Sequence, residues 1–354
     1  MPRKRVTLYD LAEQLGLTIQ TVSKALRGHS GMSEQTRTEV ILLARKLGYR
    51  TREQKHSLKS EGIPAYPLAH RRFVLVQNEQ SLNFNRLLLQ GLRARLDEFG
   101  HTVHPLLIPP NLPPHAFEEW AEEQELHYAE GLFIAPRMGH DEFEQRLLDM
   151  PIPRILLNFP PHECKVDSVI WDVYEAVIQS VRHLKRLGHK RILYIGDLGG
   201  QRGFALRWQA YREAMEEDGL PLHSMQLRGG ETGLARDLRT LFESLQPTAV
   251  LCGIDEEASR VYRALQVQLG LAIPRQCSFV ALLNEPAAEL HACSRPNLLI
   301  QETGYRAADR MLWRIANPTL PWEHIRLRGE YHSGRTTAEP VNGFAPLSRR
   351  LPTQ

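Results

Sequence analysis

The sequence predicts two architectures in series: a three-helix module with a helix-turn-helix over residues 1–59, and an α/β body of doubly wound parallel sheets over residues 73–340. Three observations predict it. Residues 1–60 hold 12 Lys/Arg against 5 Asp/Glu, a balance of +7, while the remainder sums to −4. Three amphipathic helical segments fill the first fifty residues, two of them followed directly by glycine. From residue 73 short apolar runs alternate with longer helical patterns, the signature of parallel sheets covered by helices on both faces.

In the N-terminal module, Thr7 is placed to cap a helix that carries Leu8, Leu11, Ala12 and Leu15 on one face, and Gly16 supplies the left-handed stop. Thr18 is placed to cap a second, short helix over residues 19–26. Its Val22, Ala25 and Leu26 turn inward, leaving Ile19, Gln20 and Lys24 outward. A third helix runs over residues 33–47 and ends at Gly48. Two short helices about a tight turn make a helix-turn-helix. A three-helix bundle with a merely solvated polar face fits the same pattern. Against it stand the net basic charge, Gln and Lys on the outward face, and hydroxyls at Thr18, Thr21, Ser23, Ser33 and Thr36 suited to phosphate contacts.

Val6-Thr7-Leu8-Tyr9-Asp10-Leu11-Ala12, then Gly16 through Leu26 with its Val-Ser-Lys, then Leu47-Gly48-Tyr49, closely resemble the DNA-binding headpiece of the lactose/galactose repressor (LacI/GalR) family. The resemblance implies that Ile19, Gln20 and Lys24 read bases in the major groove, with Tyr9 at the groove edge. Gln pairs with adenine and Lys with guanine; Ile offers an apolar contact to a thymine methyl. It implies backbone contacts from Thr18, Thr21, Ser23, Arg27, Ser33, Thr36 and Tyr49. It also implies that Leu58 wedges into the minor groove from a hinge helix. The family's Pro-Asn after Tyr49 and its later Ala are replaced here by Thr51, Arg52 and Lys55, so a hinge helix and a flexible connection both remain open. Residues 60–72, with Gly62, Pro64 and Pro67, read as a linker.

In the body, helices are expected over residues 84–99, 115–126, 141–150, 173–187, 204–217, 233–245, 255–269 and 302–316. Strands are expected between them, including one over 103–108 broken by Pro105. Two runs of similar length predict two lobes, about 73–165 and 166–300, with the chain crossing back after about 300 and a tail over 341–354. The resemblance extends to Leu187-Gly188-His189-Lys190-Arg191-Ile192, Leu269-Gly270-Leu271-Ala272-Ile273-Pro274 and Arg335-Thr336-Thr337. It implies a two-lobed, periplasmic-binding-protein-like core that takes a small effector, of carbohydrate type, through Arg207, Asp255, Phe84 and Asn284. Leu283 stands where the family carries a pocket carboxylate, and only Phe84 survives of the first-lobe motif. These departures leave open a phosphorylated or unusual sugar, a non-sugar ligand, or an emptied pocket with control by a partner protein or by abundance.

No GxGxxG follows the first strand, and no P-loop, GxSxG or HExxH occurs, so neither an enzyme nor a bound cofactor is expected. Cys164, Cys252, Cys277 and Cys293 are spaced too widely for a CxxC-type metal site and read as buried thiols. The basic start runs into Val6-Thr7-Leu8-Tyr9-Asp10 without an apolar signal core, and a cytoplasmic protein away from membranes is expected. The tail lacks a leucine heptad, which leaves a homodimer on a palindromic double-stranded operator as the expected assembly, and a repressor as the expected role.

Overall fold

A computed structural model describes residues 6–26, 32–63, 70–79, 82–138, 141–227 and 231–341. The chain divides into two compact units, residues 1–169 with 301–325 and residues 170–300 with 326–354. The first unit begins with three helices: α1 (Leu8–Leu15), α2 (Ile19–Leu26) and α3 (Glu34–Leu47). Helices of eight residues are unstable alone. These are held by a shared core of Leu11, Ala12, Val22, Ala25, Val40 and Ala44. Thr7 and Asp10 close a reciprocal capping box at the start of α1, and Gly16, at φ 62°, ends it in the left-handed region.

Residues 52–60 are helical. The helix α4 (Arg52–Ser60) starts at a second capping box, in which the Thr51 hydroxyl accepts the Gln54 N–H and the Gln54 side chain accepts the Thr51 N–H. Thr51, standing where the family carries proline, thus supplies its own start signal.

The rest of the first unit packs helices around a six-stranded sheet. Its order is β11 (His324–Leu327), β5 (Asp167–Trp171), β4 (Arg154–Leu156), β3 (Gly131–Ile134), β1 (Arg72–Gln77) and β2 (Thr102–Leu107). Pro105 does not break β2: the strand pairs with β1 along its whole length, Leu75 opposite Pro105. β2 is an edge strand, where a missing N–H leaves no partner unsatisfied. The helix expected over 115–126 is shorter: a 3-10 turn over Pro114–Ala116 leads into α6 (Phe117–Glu123), and Glu125 at φ 54° turns the chain away before a second 3-10 turn. Helix α7 (Asp141–Asp149) joins β3 to β4 in sequence, and α5 (Leu82–Asp97) crosses α12 (Ile300–Ala316) closely. A Cβ on Gly91 would lie 1.9 Å from the Gln301 carbonyl oxygen, and one on Gly304 would lie 2.1 Å from that of Leu88.

The second unit holds a four-stranded parallel sheet in the order β7 (His223–Gln226), β6 (Ile192–Gly196), β8 (Ala249–Cys252) and β9 (Ser278–Ala281). Its helices are α8 (Val173–Arg186), α9 (Arg202–Glu216), α10 (Glu231–Leu245) and α11 (Asp255–Arg263). The α-helical geometry expected to 269 ends at Arg263 and passes into a π turn over Ala264–Gln268. His189 is buried, bridging Thr248 and Ser278 and meeting the Ala338 carbonyl oxygen at 2.9 Å. β10 (Arg295–Pro296) pairs antiparallel with β12 (Tyr331–His332), and beyond it Thr336 donates to the Phe279 carbonyl at 2.6 Å, which ties the closing segment back to β9. All four cysteines are free thiols, and Cys252, Cys277 and Cys293 are buried.

In the first unit the Asp167 carboxylate is fully buried between Arg310 and Arg314 of α12, at 2.6 and 2.5 Å, and it also accepts the Glu323 N–H. Removing one member of a buried ion cluster strands the others without counter-charge. Asp167→Ala is therefore expected to destabilise this unit by about 3–5 kcal/mol. Denaturant unfolding checks it; a loss below about 1 kcal/mol would show that the cluster behaves as an exposed one.

Candidate nucleic-acid interface and effector site

The exposed face of α2 follows from its caps. The Thr18 hydroxyl accepts the Thr21 N–H at 3.1 Å and bonds the Thr21 hydroxyl at 2.9 Å. The same pattern recurs before α3, where Ser33 accepts the Thr36 N–H at 3.1 Å and pairs with the Thr36 hydroxyl. With α2 started at Thr18, the 3.6-residue period buries Val22 and Ala25 and leaves Ile19, Gln20 and Lys24 exposed. Gln20 and Lys24 stand four residues apart, one above the other on one side of the helix. Tyr9 on α1 is also exposed, at 61%.

Thr21, Ser23, Thr36 and Tyr49 are half-buried, and Thr18 and Ser33 are exposed. In each capping pair, one hydroxyl proton bonds within the pair and the other is free to turn outward. Tyr49 follows Gly48, which at φ 70° ends α3, and the Tyr49 N–H meets the Ala44 carbonyl at 2.8 Å. Arg27 lies outside the described residues. Leu58 lies on α4 half-buried.

In the second unit three expected effector residues follow the carboxyl ends of three adjacent parallel strands: Arg207 on α9 after β6, Asp255 at the start of α11 after β8, and Asn284 after β9. That end of an open parallel sheet is where ligands bind. Asn284 donates both its N–H, at 3.0 Å, and its side-chain amide, at 2.8 Å, to the Asp255 carboxylate. Arg207 donates to the Gly253 carbonyl at 2.8 Å and lies over the Phe204 ring. Burial pushes the Asp255 carboxyl up to about 6, against the opposing pull of the Asn284 N–H. Phe84 belongs to the first unit, buried on α5.

Two contacts were not foreseen from sequence. One is the pairing of Asp255 with Asn284, which lie 29 residues apart. The other is the burial of Arg50, whose partners on the first lobe lie 48 residues away and carry no local signal.

Residues 7–52 match the model of bacterial regulatory proteins of the lacI family, and residues 181–337 match a periplasmic binding protein-like domain. The chain is a DNA-binding transcriptional regulator with a headpiece of the lacI type. Among its relatives are catabolite control protein A of Priestia megaterium, 24% identical over 83% of this chain and 86% of that protein, and the HTH-type transcriptional regulator AglR of Rhizobium meliloti, 28% identical over 78% of this chain and 77% of that one. Its fold is similar to that of the lac repressor dimer bound to operator and the anti-inducer ONPF, with a TM-score of 0.63 and 20% identity over 95% of this chain and 100% of the other. It is similar also to the transcriptional regulator CelR–cellobiose complex, with a TM-score of 0.64 and 20% identity over 94% and 100%.

The raised Asp255 carboxyl has a stability signature in this periplasmic-binding-protein-like lobe. An ordinary Asp titrates near 3.9. Between about 4 and about 6 the folded lobe therefore holds a proton that the unfolded chain has released, and stability from this group falls as pH rises through that window. Asp255→Asn is expected to remove this decline, gaining stability relative to the unsubstituted chain as pH is raised from 4 to 7. Denaturant midpoints across that range read it; parallel curves for the two proteins would refute it.

Proposed function

We propose that the chain is a non-catalytic cytoplasmic repressor that binds a palindromic operator as a homodimer, reading bases with Ile19, Gln20 and Lys24 and holding the backbone with Thr18, Thr21, Ser23, Arg27, Ser33, Thr36 and Tyr49. Tyr9 adds a contact at the groove edge, and Leu58 enters the minor groove. The observation that carries this reading is the capped α2, which presents Gln and Lys on one exposed face of a module matched to the lacI model. Two half-sites read by two headpieces fit the duplex when their centres lie about one helical turn apart.

A small polyhydroxylated effector of carbohydrate class is proposed to bind against Arg207, Asp255 and Asn284 of the second unit. A guanidinium, a carboxylate and an amide at the carboxyl ends of β6, β8 and β9 offer the donors and acceptors such a ligand needs. Of the relatives in fold, the CelR structure is a complex with cellobiose. A second reading has its own support: Asp255 is engaged by Asn284 and Arg207 by the Gly253 carbonyl, so these groups already have partners within the lobe. A site so satisfied suits a regulator controlled by a partner protein or by abundance.

Band shifts on a palindrome from the protein's own regulatory region test the first part. Binding is expected to exceed that to competitor DNA by at least about a thousandfold and to weaken steeply as salt rises. Equal affinity for both DNAs would defeat it. Calorimetry against sugars and sugar phosphates tests the second part. Binding that strengthens as pH rises through about 6, as Asp255 ionises, supports the effector site; no heat from any member of the panel favours the emptied pocket.

A further inference from the structure

The carboxyl ends of β6 and β8 meet where the order of the four-stranded sheet reverses: the chain leaves β6 for β7 on one side and returns to β8 on the other. Tyr194 of β6 lies in the interior near that point, with no exposed surface. Its ring packs on Trp208 and Tyr211 of α9, with centroids 5.6 and 5.2 Å away. Its hydroxyl is lodged between two glycines. A Cβ on Gly253, just past β8, would lie 2.5 Å from that oxygen, and one on Gly196, at the end of β6, would lie 2.8 Å from it. Only glycine lets a phenol come this close to both strands.

Among the described residues no hydrogen-bond partner reaches the Tyr194 hydroxyl. The neighbouring Tyr211 shows the ordinary arrangement: its hydroxyl, also buried, donates to the Ile192 carbonyl at 2.8 Å. A buried hydroxyl without a partner costs stability, so packing alone would favour phenylalanine at 194. Burial also pushes the Tyr194 hydroxyl above its ordinary range, so it keeps its proton and is available as a donor. The backbone it presses against is that of Gly253, whose carbonyl receives the Arg207 guanidinium at 2.8 Å.

We propose that Tyr194 is a positioning residue of the effector site, a reserve donor that takes the Gly253 carbonyl when Arg207 gives it up to a ligand. Glycine at 253 lets the peptide turn its carbonyl from one donor to the other. The carbonyl is then not left unpaired in the interior, and Arg207 is released at little cost. A guanidinium with a partner inside the lobe is thus no bar to effector binding. This inference rests on the reading of Arg207 as an effector contact.

A double-substitution cycle tests it without any effector. Arg207→Met removes the guanidinium and keeps an apolar stem, and Tyr194→Phe removes the hydroxyl and keeps the ring. Hydrogen exchange of the β6 and β8 amides in the full-length protein reads the stability of the second unit. With Arg207 in place, Tyr194→Phe is expected to leave protection unchanged or to raise it, since the hydroxyl it removes has no partner. In the Arg207→Met background the same substitution is expected to lower protection by about two- to tenfold, the worth of one hydrogen bond. A merely structural tyrosine gives the same change in both backgrounds, and that result overturns the proposal. A loss of protection with Arg207 in place also overturns it, because the hydroxyl would then already be paired. Arg207→Ala supplies the same comparison if Arg207→Met does not fold. If calorimetry finds no sugar or sugar phosphate that binds, the effector reading fails on that result alone, while the shared carbonyl still stands or falls on exchange.

Discussion

The free backbone donors at the start of α2 are the constraint on which the headpiece depends. An eight-residue helix leaves half its N–H groups without an internal partner and cannot persist on its own. Thr18 answers that deficit locally, and Val22 and Ala25 answer the remaining instability by packing on α1 and α3. Once the start is pinned at Thr18, the helical period decides which side chains face outward. A one-residue slip of that start would turn Gln20 and Lys24 by about 100° and carry them off the exposed face. Which polar residues face outward is thus set by a cap and a six-residue core.

The same economy recurs at α4. Thr51 and Gln54 build a capping box where the family carries proline, and the helix forms from its own side chains. Arg50, one residue earlier, is drawn onto Phe99 and the Glu98 carbonyl. The junction between headpiece and lobe is consequently ordered by hydrogen bonds from polar residues, which are easily exchanged for contacts with water or phosphate. Such bonds are worth little individually.

Much of the fold was legible because its determinants are local. Thr7, Gly16, Thr18 and Gly48 mark helix ends within a few residues of where they act, and the alternation of strand and helix marks the parallel sheets. The misreadings have non-local causes. Pro105 would interrupt a central strand, but whether a strand is central depends on neighbours far away in sequence, and β2 turns out to lie at an edge. Glu125 adopts a left-handed turn that its residue type does not advertise. At the candidate effector site, the engagement of Asp255 by Asn284 could not be read from the sequence. It depends on β8 and β9 being neighbours and on the loop beyond β9 folding back over α11.

The most direct measurement is operator affinity of the Gln20→Ala/Lys24→Ala double variant against both the operator and random duplex. Loss of the two base contacts is expected to cost about 2–6 kcal/mol on the operator, with little change on random DNA. Thermal unfolding should stay near that of the unsubstituted protein, since both residues lie on the exposed face. A double variant that keeps its selectivity would contradict the placement of α2 in the major groove.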